Sequence, residues 1–245
     1  LGNNPESLAT RTNVRDTADF LTKDFKRVST QLSEIQRDLD QQVTTQVGEI
    51  NGMTQEIATL NEKIQTVEMT GAPANDERDR RDLLVKKLGE KINIRWAEGA
   101  DSTVTISAGN SALLVSGYDA RKLSVLSTPA HDGKGEGHVD IIYKSSESGS
   151  DIPVTRQMTG GSVGALLEVR DKIIGDLHNN LNDMAMSLAA SVNETHSQGF
   201  DSYNKPGQAF FVVPANTTGQ LASALSINSN IMDDPKRIAA AQQLS

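Results

Sequence analysis

A long run of apolar residues at heptad spacing, with no proline inside it, constrains this sequence more than any other feature. From Leu21 to Val43 the apolar positions lie three or four residues apart, and the pattern resumes from Val47 to Val67. This spacing is typical of a helix that buries one stripe of side chains against a partner helix. Because about 50 helical residues extend roughly 80 Å, the pattern predicts a rod or bundle rather than a compact globule.

The residues after this run predict a helix end and the start of a shorter helix. Residues 70–73 read Thr-Gly-Ala-Pro, a combination that ends helices. Asn75 is predicted to cap the next helix with its side chain, and Asp76 lies where the helix dipole favours negative charge. We expect three leucines of this helix to face inward: Leu83, Leu84 and Leu88.

Residues 91–163 have a different texture, which indicates a β domain. Short alternating or β-branched runs are separated by glycine, aspartate, asparagine and proline at intervals of roughly ten residues. The runs lie at residues 92–96, 103–106, 112–115, 123–126 and 139–143. The pattern predicts short antiparallel strands.

A second heptad-like stripe follows and predicts that a long helix resumes at Gly164. Ser162 precedes it and is predicted to be its N-cap. After Asn193 the sequence loosens, and Pro235 suits the first turn of a last helix. The stripe consists of Leu167, Ile174, Leu177, Leu181, Met184, Leu188 and Val192.

Together these patterns predict an α+β, multidomain fold. Its helical part is an elongated antiparallel bundle, or coiled-coil-like domain, made of residues 1–90 and 164–245. Residues 91–163 form an inserted antiparallel β domain. We expect the two heptad stripes to run antiparallel, with the β domain at one end.

The composition argues against several classes of function. The formal net charge is −8 and no block of lysine or arginine stands out, so nucleic acid is not an expected partner. The sequence has no cysteine, which excludes disulfides, thiolate metal sites and a cysteine nucleophile. Aromatic residues make up only 4% of the sequence, which leaves little to wall a closed pocket. No apolar run is long enough to span a membrane, so no membrane is expected either.

Two patterns are similar to ligand sites but are better explained as structure. Asp76, Asp79 and Asp82 share one helical face, but arginines are interleaved with them, which favours surface ion pairs over a metal site. Residues 133–137 read Gly-Lys-Gly-Glu-Gly, yet a strand-like run follows them instead of the helix that a phosphate loop needs. We interpret this stretch as a hairpin connection, and expect neither metal nor cofactor.

Ser162 and the histidines also lack a catalytic context. Residues 160–164 fit the pattern G-x-S-x-G, but residues 155–159 make a poor core strand, which a nucleophile elbow requires. No two histidines have the i,i+4 spacing of helical metal ligands. His196 is interpreted as a hydrogen-bonding residue in a bend, and the sequence predicts no enzyme. The four histidines are His131, His138, His178 and His196.

Four segments, in one order along the chain, carry a resemblance to a known family. The first contains Asn75, Asp76, Asp79, Arg81 and Asp82. The second contains Gly161, Ser162, Gly164, Leu167 and Arg170. The third contains Asn193, His196, Gly199, Asp201, Phe210 and Phe211, and the fourth contains Asp234 and Pro235. In this order and spacing they resemble the flagellar hook-associated protein 1 family, the junction protein between hook and filament.

The resemblance implies a structural component of the bacterial flagellum. Members of the family are exported by the flagellar type III apparatus without a cleavable signal peptide, and they act outside the cell. They assemble as a ring of subunits on the hook tip, where the expected partners are the hook protein and the next hook-associated protein. A type III export chaperone is expected to bind through a terminal region. The family's terminal helices are missing from this sequence, so we expect a fragment.

Without the resemblance, the residue patterns leave two other classes open. Heptad stripes around a β insertion also fit a helical-hairpin adhesin, or a sensor-type binding module with a β cap. A hydrolase that uses Ser162 is the third class, and only the G-x-S-x-G pattern supports it.

Overall fold

The first heptad run forms one continuous α-helix. The computed structural model describes residues 7–127, 138–145, 149–214, 217 and 219–240, and α1 spans Leu8–Met69. The helix ends just before Gly71, whose φ of +81° lies in the left-handed region that glycine adopts without strain. The predicted stop at residues 70–73 is confirmed, and the helix passes through the predicted slip without a break.

The second helix, α2 (Asn75–Lys91), corrects two predictions. Asn75 is not its cap: Ala74 holds that position without a side-chain hydrogen bond, because the helix begins one residue earlier than predicted. Leu83 does not face inward and is 52% exposed. The buried stripe is Arg81, Val85 and Leu88. The charged Arg81 therefore occupies a core position. The apolar pattern alone points to the face of α2 that carries Leu83, which is exposed.

The described residues between 94 and 153 form the predicted antiparallel strands, whereas residues 133–137, interpreted above as a hairpin connection, lie outside the described residues. The first sheet has the strand order β1 (Ile94–Glu98), β2 (Val104–Ala108), β3 (Ala112–Ser116) and β4 (Asp119–Ala120). The second has the order β5 (Leu123–Ser127), β6 (Val139–Lys144) and β7 (Asp151–Pro153). Every pairing is antiparallel, which confirms the predicted α+β class.

The second long helical segment is interrupted by a π-helix. A 3-10 turn (Thr155–Gln157) precedes α3 (Gly161–Glu168), the π-helix covers Val169–Ile174, and α4 covers Gly175–Ser197. Because a π-turn holds more residues than an α-turn, it shifts the helical register. The buried face of α4 is therefore Asn182, Ala185, Ala189 and His196, while Leu177 and Met184 of the predicted stripe are exposed.

The remaining elements are short. They are β8 (Phe211–Val212), α5 (Leu221–Ala224), β9 (Ser226–Ile227), α6 (Ser229–Asp233) and a 3-10 turn (Pro235–Arg237). Strands β8 and β9 pair antiparallel. The helix predicted to start at Pro235 is only this single turn, in which the proline occupies the first position.

The chain divides into two compact units. Unit 1 contains the described residues of 1–35 and 174–245, and unit 2 those of 36–131 and 137–173. The core of unit 2 includes Ile57, Leu88, Ile106, Leu114 and Ile141, so this part of α1 packs with α2 and both sheets. Our sequence-based division into residues 1–90 plus 164–245 and residues 91–163 stays a prediction, since it follows the type of secondary structure rather than the packing.

Unit 1 has a different core. It contains Phe25 on α1, Ala185 and Ala189 on α4, and the adjacent pair Phe210 and Phe211. The two phenylalanine rings meet edge to face with their centroids 4.9 Å apart. None of the helices in the described part of the chain is both long enough and apolar enough to cross a membrane.

Candidate functional site

Arg81, in the first of the four motifs, is the centre of a buried polar cluster in unit 2. Its side chain is 2% exposed. One terminal nitrogen donates to the Ser102 carbonyl at 2.6 Å and to Asn61 Oδ1 at 3.3 Å, and the other donates to Glu98 Oε1 at 2.9 Å. A buried charge is costly unless it is paired and hydrogen-bonded. These contacts give both terminal nitrogens of Arg81 a partner and fix α2 against α1 and the first sheet.

Asn61 extends this cluster along the edge of the first sheet. Its amide nitrogen donates to the carbonyls of Val104 and Gly117, at 2.9 and 2.7 Å. Its amide oxygen accepts from the Val104 N–H at 3.0 Å. The side chain, which is fully buried, thus takes the place of a backbone neighbour. Asn51 acts similarly on both backbone groups of Leu123, at 2.8 and 2.9 Å.

Arg78 joins two carboxylates beside this cluster. It contacts Glu68 Oε1 at 2.6 Å and Glu98 Oε1 at 2.7 Å. The hydrogen bond from Arg78 is the main reason that the pKa of Glu68 falls to about 2. The pKa of Glu98 is also lowered, chiefly by Arg81 and less by Arg78. Each of these charged side chains is paired with a fixed side chain of opposite charge. The ion pairs therefore serve to hold the fold together.

The three aspartates of the first motif do not converge on a ligand. Asp76 and Asp79 are exposed, and Asp82 is exposed with one oxygen 3.8 Å from Arg81 Nε. Within the described residues, no group of three or more acidic or histidine side chains is arranged to hold a metal ion. The role predicted for these aspartates at the start of α2 stays a prediction.

The second motif places glycines where the chain leaves no room for a side chain. Gly161 has a φ of +66°, and a Cβ on it would overlap the backbone of Lys91. A Cβ on Gly164 would lie 2.6 Å from the carbonyl carbon of Thr159. The start of α3 therefore packs backbone to backbone against the end of α2. The second motif thus lies against the C-terminal end of the helix that begins with the first motif.

Ser162 is not the cap of α3, and it lacks the setting of a nucleophile elbow. The cap position of α3 belongs to Gly160, which makes no side-chain hydrogen bond, so the predicted cap is wrong. The left-handed backbone at Gly161 fixes the start of α3 without a side-chain cap. The exposed Ser162 hydroxyl donates to Gln46 Oε1 at 3.3 Å. A 3-10 turn and a bend precede it instead of the strand that a nucleophile elbow requires.

Arg170 forms a second buried cluster at the π-helix of unit 2. Its guanidinium contacts Asp40 and Asp171, each at 2.6 Å, and donates to the Val139 carbonyl at 2.8 Å. Burial alone would lower the pKa of Arg170, but the two carboxylates outweigh it and raise the pKa. Arg170 and Asp171, adjacent in sequence on the π-helix, thus share one ion-pair network with Asp40. Leu167 of the same motif is buried in the core.

In unit 1, Asn193 holds the third motif together. Its amide oxygen accepts from the N–H groups of Phe210 and Phe211 at 2.7 and 2.8 Å, and its nitrogen donates to the Phe211 carbonyl at 2.8 Å. The side chain therefore acts as a backbone partner for the strand that follows. This bonding explains why an asparagine precedes a pair of phenylalanines at this distance in the sequence.

His196 is buried in the last turn of α4, so its predicted place in the bend after the helix is wrong, because the helix continues to Ser197. Its Nδ1 is 2.5 Å from the Gln208 carbonyl oxygen, and its Nε2 accepts from the Ala239 N–H at 2.8 Å. The ring also meets Phe210 edge to face at 5.4 Å. Burial is the main cause of the lowered pKa of His196.

The other residues of the third and fourth motifs form turns around His196. The Gly199 carbonyl accepts from the Gly207 N–H at 2.9 Å, and Asp201 Oδ1 accepts from the Tyr203 and Lys205 N–H groups at 2.8 and 2.9 Å. Tyr203 in turn donates to Asp234 Oδ2 at 2.9 Å. Asp234 caps the turn that begins at Pro235, accepting from the Lys236 N–H at 3.1 Å. The third and fourth motifs thus meet in unit 1.

Unit 1 also has an apolar groove of about 590 Å³. It runs between the first part of α1 and the last part of α4, and six of the side chains that line it are Val14, Leu21, Leu188, Val192, Phe210 and Ile238. The groove carries no ionisable side chain other than His196, whose two ring nitrogens are already bonded. It is suited to apolar contact rather than to catalysis.

Sequence reasoning missed several residues that build these clusters. Asn51 and Asn61 lie beside the heptad positions of α1, where their amide groups reach strand edges. Arg11, on α1, is buried and donates to the Ile238 carbonyl. A polar residue next to an apolar stripe was the available signal, but sequence alone does not tell such a residue from a solvated one. The π-helix left no signal that we can identify.

Comparisons with known proteins point to the same family as the four motifs. The family model described as the flagellar hook-associated protein FlgK helical domain matches residues 1–211. Flagellar hook-associated protein 1 of Salmonella typhimurium is 26% identical over 243 residues, which cover 96% of this chain and 43% of that protein. The Escherichia coli protein of the same name is 29% identical over 220 residues, which cover 87% of this chain and 39% of that protein.

A solved structure is also similar. The flagellar hook junction protein FlgK from Burkholderia pseudomallei matches with a TM-score of 0.77 and 25% identity, over 87% of this chain and 38% of that one. The chain therefore spans about two fifths of the length of the relatives it matches.

Proposed function

Because the chain belongs to the family of the flagellar hook-associated protein FlgK helical domain, we propose that it is part of a structural protein that joins hook to filament. In this proposal the whole protein assembles as a ring of subunits at the hook tip, outside the cell. The observation that carries the proposal is the family match over residues 1–211, within which three of the four motif clusters lie.

The chemistry of the motifs supports a structural role. Arg81 and Arg170 are buried and paired with carboxylates, and Asn193 and His196 are bonded to backbone groups. The polar groups of these side chains form bonds that hold neighbouring elements in place. We infer that the protein is not an enzyme, since its characteristic residues are committed to the fold.

The proposed partners follow from the position at the junction. They are further copies of the protein in the ring, the hook protein on one side and the next hook-associated protein on the other. Export through the flagellar type III apparatus, with a chaperone bound to a terminal region, is part of the same proposal. The relatives named as hook-associated or hook junction proteins support this assignment.

Immunogold labelling of flagella isolated from the source bacterium tests the location. Antibodies raised against this chain should place gold particles at the boundary between hook and filament. Antibodies against flagellin serve as the control and should label the filament alone. Averaged cryo-electron images of the labelled junctions should show a closed ring of subunits.

Other labelling patterns would point to the alternatives. Gold on the cell body, with none on the flagella, would favour the adhesin or sensor module. Gold along the whole filament would contradict a junction role. An open or helical arrangement of subunits at the boundary would overturn the ring while leaving the location intact.

A further inference from the structure

The hydrogen bonds of His196 make one protonation state of its ring compatible with the fold of unit 1. The Gln208 carbonyl can only accept, so Nδ1, 2.5 Å away, must carry the proton. The Ala239 N–H can only donate, so Nε2, 2.8 Å away, must be the bare nitrogen. The partners therefore fix the neutral ring and its tautomer, without any choice in placing hydrogens.

The Ala239 bond belongs to a set that holds one short segment in place. We call residues 234–240 the docked segment. The Lys236 carbonyl accepts from the Ser202 N–H at 3.0 Å, and the Ala240 N–H donates to the Phe200 carbonyl at 3.1 Å. Arg11 of α1 donates to the Ile238 carbonyl. Of these contacts, the one between His196 and Ala239 depends on protonation, because a proton on Nε2 turns this acceptor into a donor.

We propose that His196 is a pH-sensitive latch: its neutral ring locks the docked segment onto α4, and protonation releases that segment. A second ring proton would sit on Nε2 and face the Ala239 N–H, so two donors would oppose each other in a buried site. Leaving a buried donor without an acceptor is costly. Moving the docked segment away removes that conflict, because Ala239 goes with it.

Release would also change the apolar groove of unit 1. Ile238 and Ala239 of the docked segment line that groove together with His196 and Phe210. With the latch closed they form part of its wall. With the latch open the edge of Phe210 becomes exposed. The latch thus couples the pH around the protein to the shape of an apolar surface.

The surroundings of His196 oppose its protonation. Burial is the largest cause of its lowered pKa, the charge of Arg11 acts in the same direction, and the charge of Asp201 opposes them. Asp201 is already engaged by two N–H groups of its own turn. Other charged side chains on the elements packed here include Arg15 and Asp16 on α1, Glu194 on α4, Lys205 in the bend, and Asp234, Lys236 and Arg237 in the docked segment.

The direction of the effect follows from linkage. The open form, with an exposed ring, binds a proton near the ordinary value of 6.5, and the latched form binds it only at lower pH. Protons therefore favour the open form. The latch is at full strength above pH 6.5 and weakens as the pH falls below that value.

Nuclear magnetic resonance on the 245-residue chain tests the latch directly. Ring nitrogen shifts at pH 7.5 should show Nδ1 protonated and Nε2 bare, and the ring should titrate below 6.5. After correction for intrinsic exchange, hydrogen-exchange protection of the Ala239 and Ala240 amides should fall about tenfold between pH 7.5 and 5.5. Protection of the Ile141 amide in unit 2, which donates to Thr155 Oγ1, should not change.

Two matched variants assign the effect to one ring. His178→Gln changes another histidine of α4 and should leave the fall in protection intact. His196→Gln removes the titrating group, so Ala239 should show the same protection at both pH values. If His196→Gln does not fold, the ring titration of the His178→Gln variant still decides the question.

Three results would overturn the latch. Protection of Ala239 could stay constant down to pH 5.5 in the unmodified chain. The protection of the Ala239 amide could fall by the same factor in His196→Gln as in the unmodified chain. The Ile141 amide could lose protection over the same pH range, which would mean general acid unfolding rather than release of one segment.

Discussion

Unit 2 closes its core mainly with branched aliphatic side chains, whereas the core of unit 1 has a larger share of alanines and phenylalanines beside Ile227, Ile231 and Ile238. In unit 1 the strand of Phe211 is also held by the side chain-to-backbone bonds of Asn193. In unit 2, Ile57, Leu114 and Ile141 are almost completely buried between helix and sheet. In unit 1, Ala185 and Ala189 form much of the buried face of α4. Small residues bury little apolar area, so unit 1 gains less from the hydrophobic effect at those positions.

Both units expose apolar side chains, among them Leu83 and Trp96 in unit 2, but they differ in how their surfaces are built. Leu21 on α1 and Leu177 and Met184 on α4, all in unit 1, are 37%, 46% and 56% exposed. The apolar groove lies in the same unit. In unit 2 the polar clusters around Arg81 and Arg170 are enclosed and their charges are paired. Unit 1 thus offers an apolar groove for further contact, whereas the features that distinguish unit 2 are its enclosed, charge-paired clusters.

The largest effect that this comparison predicts is the loss of an aliphatic side chain from unit 2. Leu88 is completely buried on α2. Leu88→Ala should lower the free energy of unfolding by about 2–5 kcal/mol, through lost burial and the cavity left behind. Urea unfolding followed by the fluorescence of Trp96, the single tryptophan, reports on this unit.

Leu83 provides a matched control on the same helix. It is the same residue type, but its side chain is 52% exposed. Leu83→Ala should change the free energy of unfolding by no more than about 0.5 kcal/mol. Equal losses for Leu83→Ala and Leu88→Ala would contradict the assignment of the buried face of α2.

A smaller effect is expected from the polar framework of unit 1. Asn193→Ala removes three hydrogen bonds and leaves the N–H groups of Phe210 and Phe211 without their acceptor. The expected loss is about 1–3 kcal/mol, the usual cost of burying an unsatisfied polar group. Amide exchange at Phe211 should speed up accordingly, while amides of unit 2 keep their protection.

Asn180 on the exposed side of α4 serves as the control for this variant. Asn180→Ala should be neutral or slightly stabilising, since alanine is the better helix former. If Asn193→Ala were as mild as Asn180→Ala, unit 1 would not depend on side chain-to-backbone bonds, and the contrast between the units would fail.

Sequence patterns predicted most elements of both units, and the failures have specific causes. The heptad run predicted α1 within a few residues at its C-terminal end, and alternation predicted the main strands. Leu83 was misplaced because Arg81 holds a core position. Leu177 and Met184 were misplaced because the π-helix shifts the register between α3 and α4.

The candidate site followed the same division. The motif residues were found by their resemblance to a family, and that family is confirmed. Their bonding was not predictable, because Asn61, Glu68 and Arg11 contribute from positions far away in the sequence. The two proposed caps were wrong for different reasons: α2 begins one residue earlier than predicted, with Ala74 at its cap position, and the backbone of Gly160 and Gly161 fixes the start of α3.

The smallest predicted effect concerns the ion pair between Glu68 and Arg78 in unit 2. The pKa of Glu68 is lowered from 4.5 to about 2, chiefly by its hydrogen bond to Arg78. A carboxyl with a lowered pKa stabilises the fold above its ordinary value, and this contribution is lost as the pH falls from 4.5 towards 2. Glu68→Gln removes the titrating group, so the midpoint of urea unfolding should depend less on pH over that range.

Glu62→Gln, at an exposed position of the same helix, is the control and should keep the pH dependence of the unmodified chain. Added salt should reduce the difference between the two variants, because partly exposed ion pairs are screened. A pH profile identical in both variants would show that the ion pair adds nothing to the stability of unit 2, leaving its aliphatic core and the buried Arg81 as the whole basis of the contrast with unit 1.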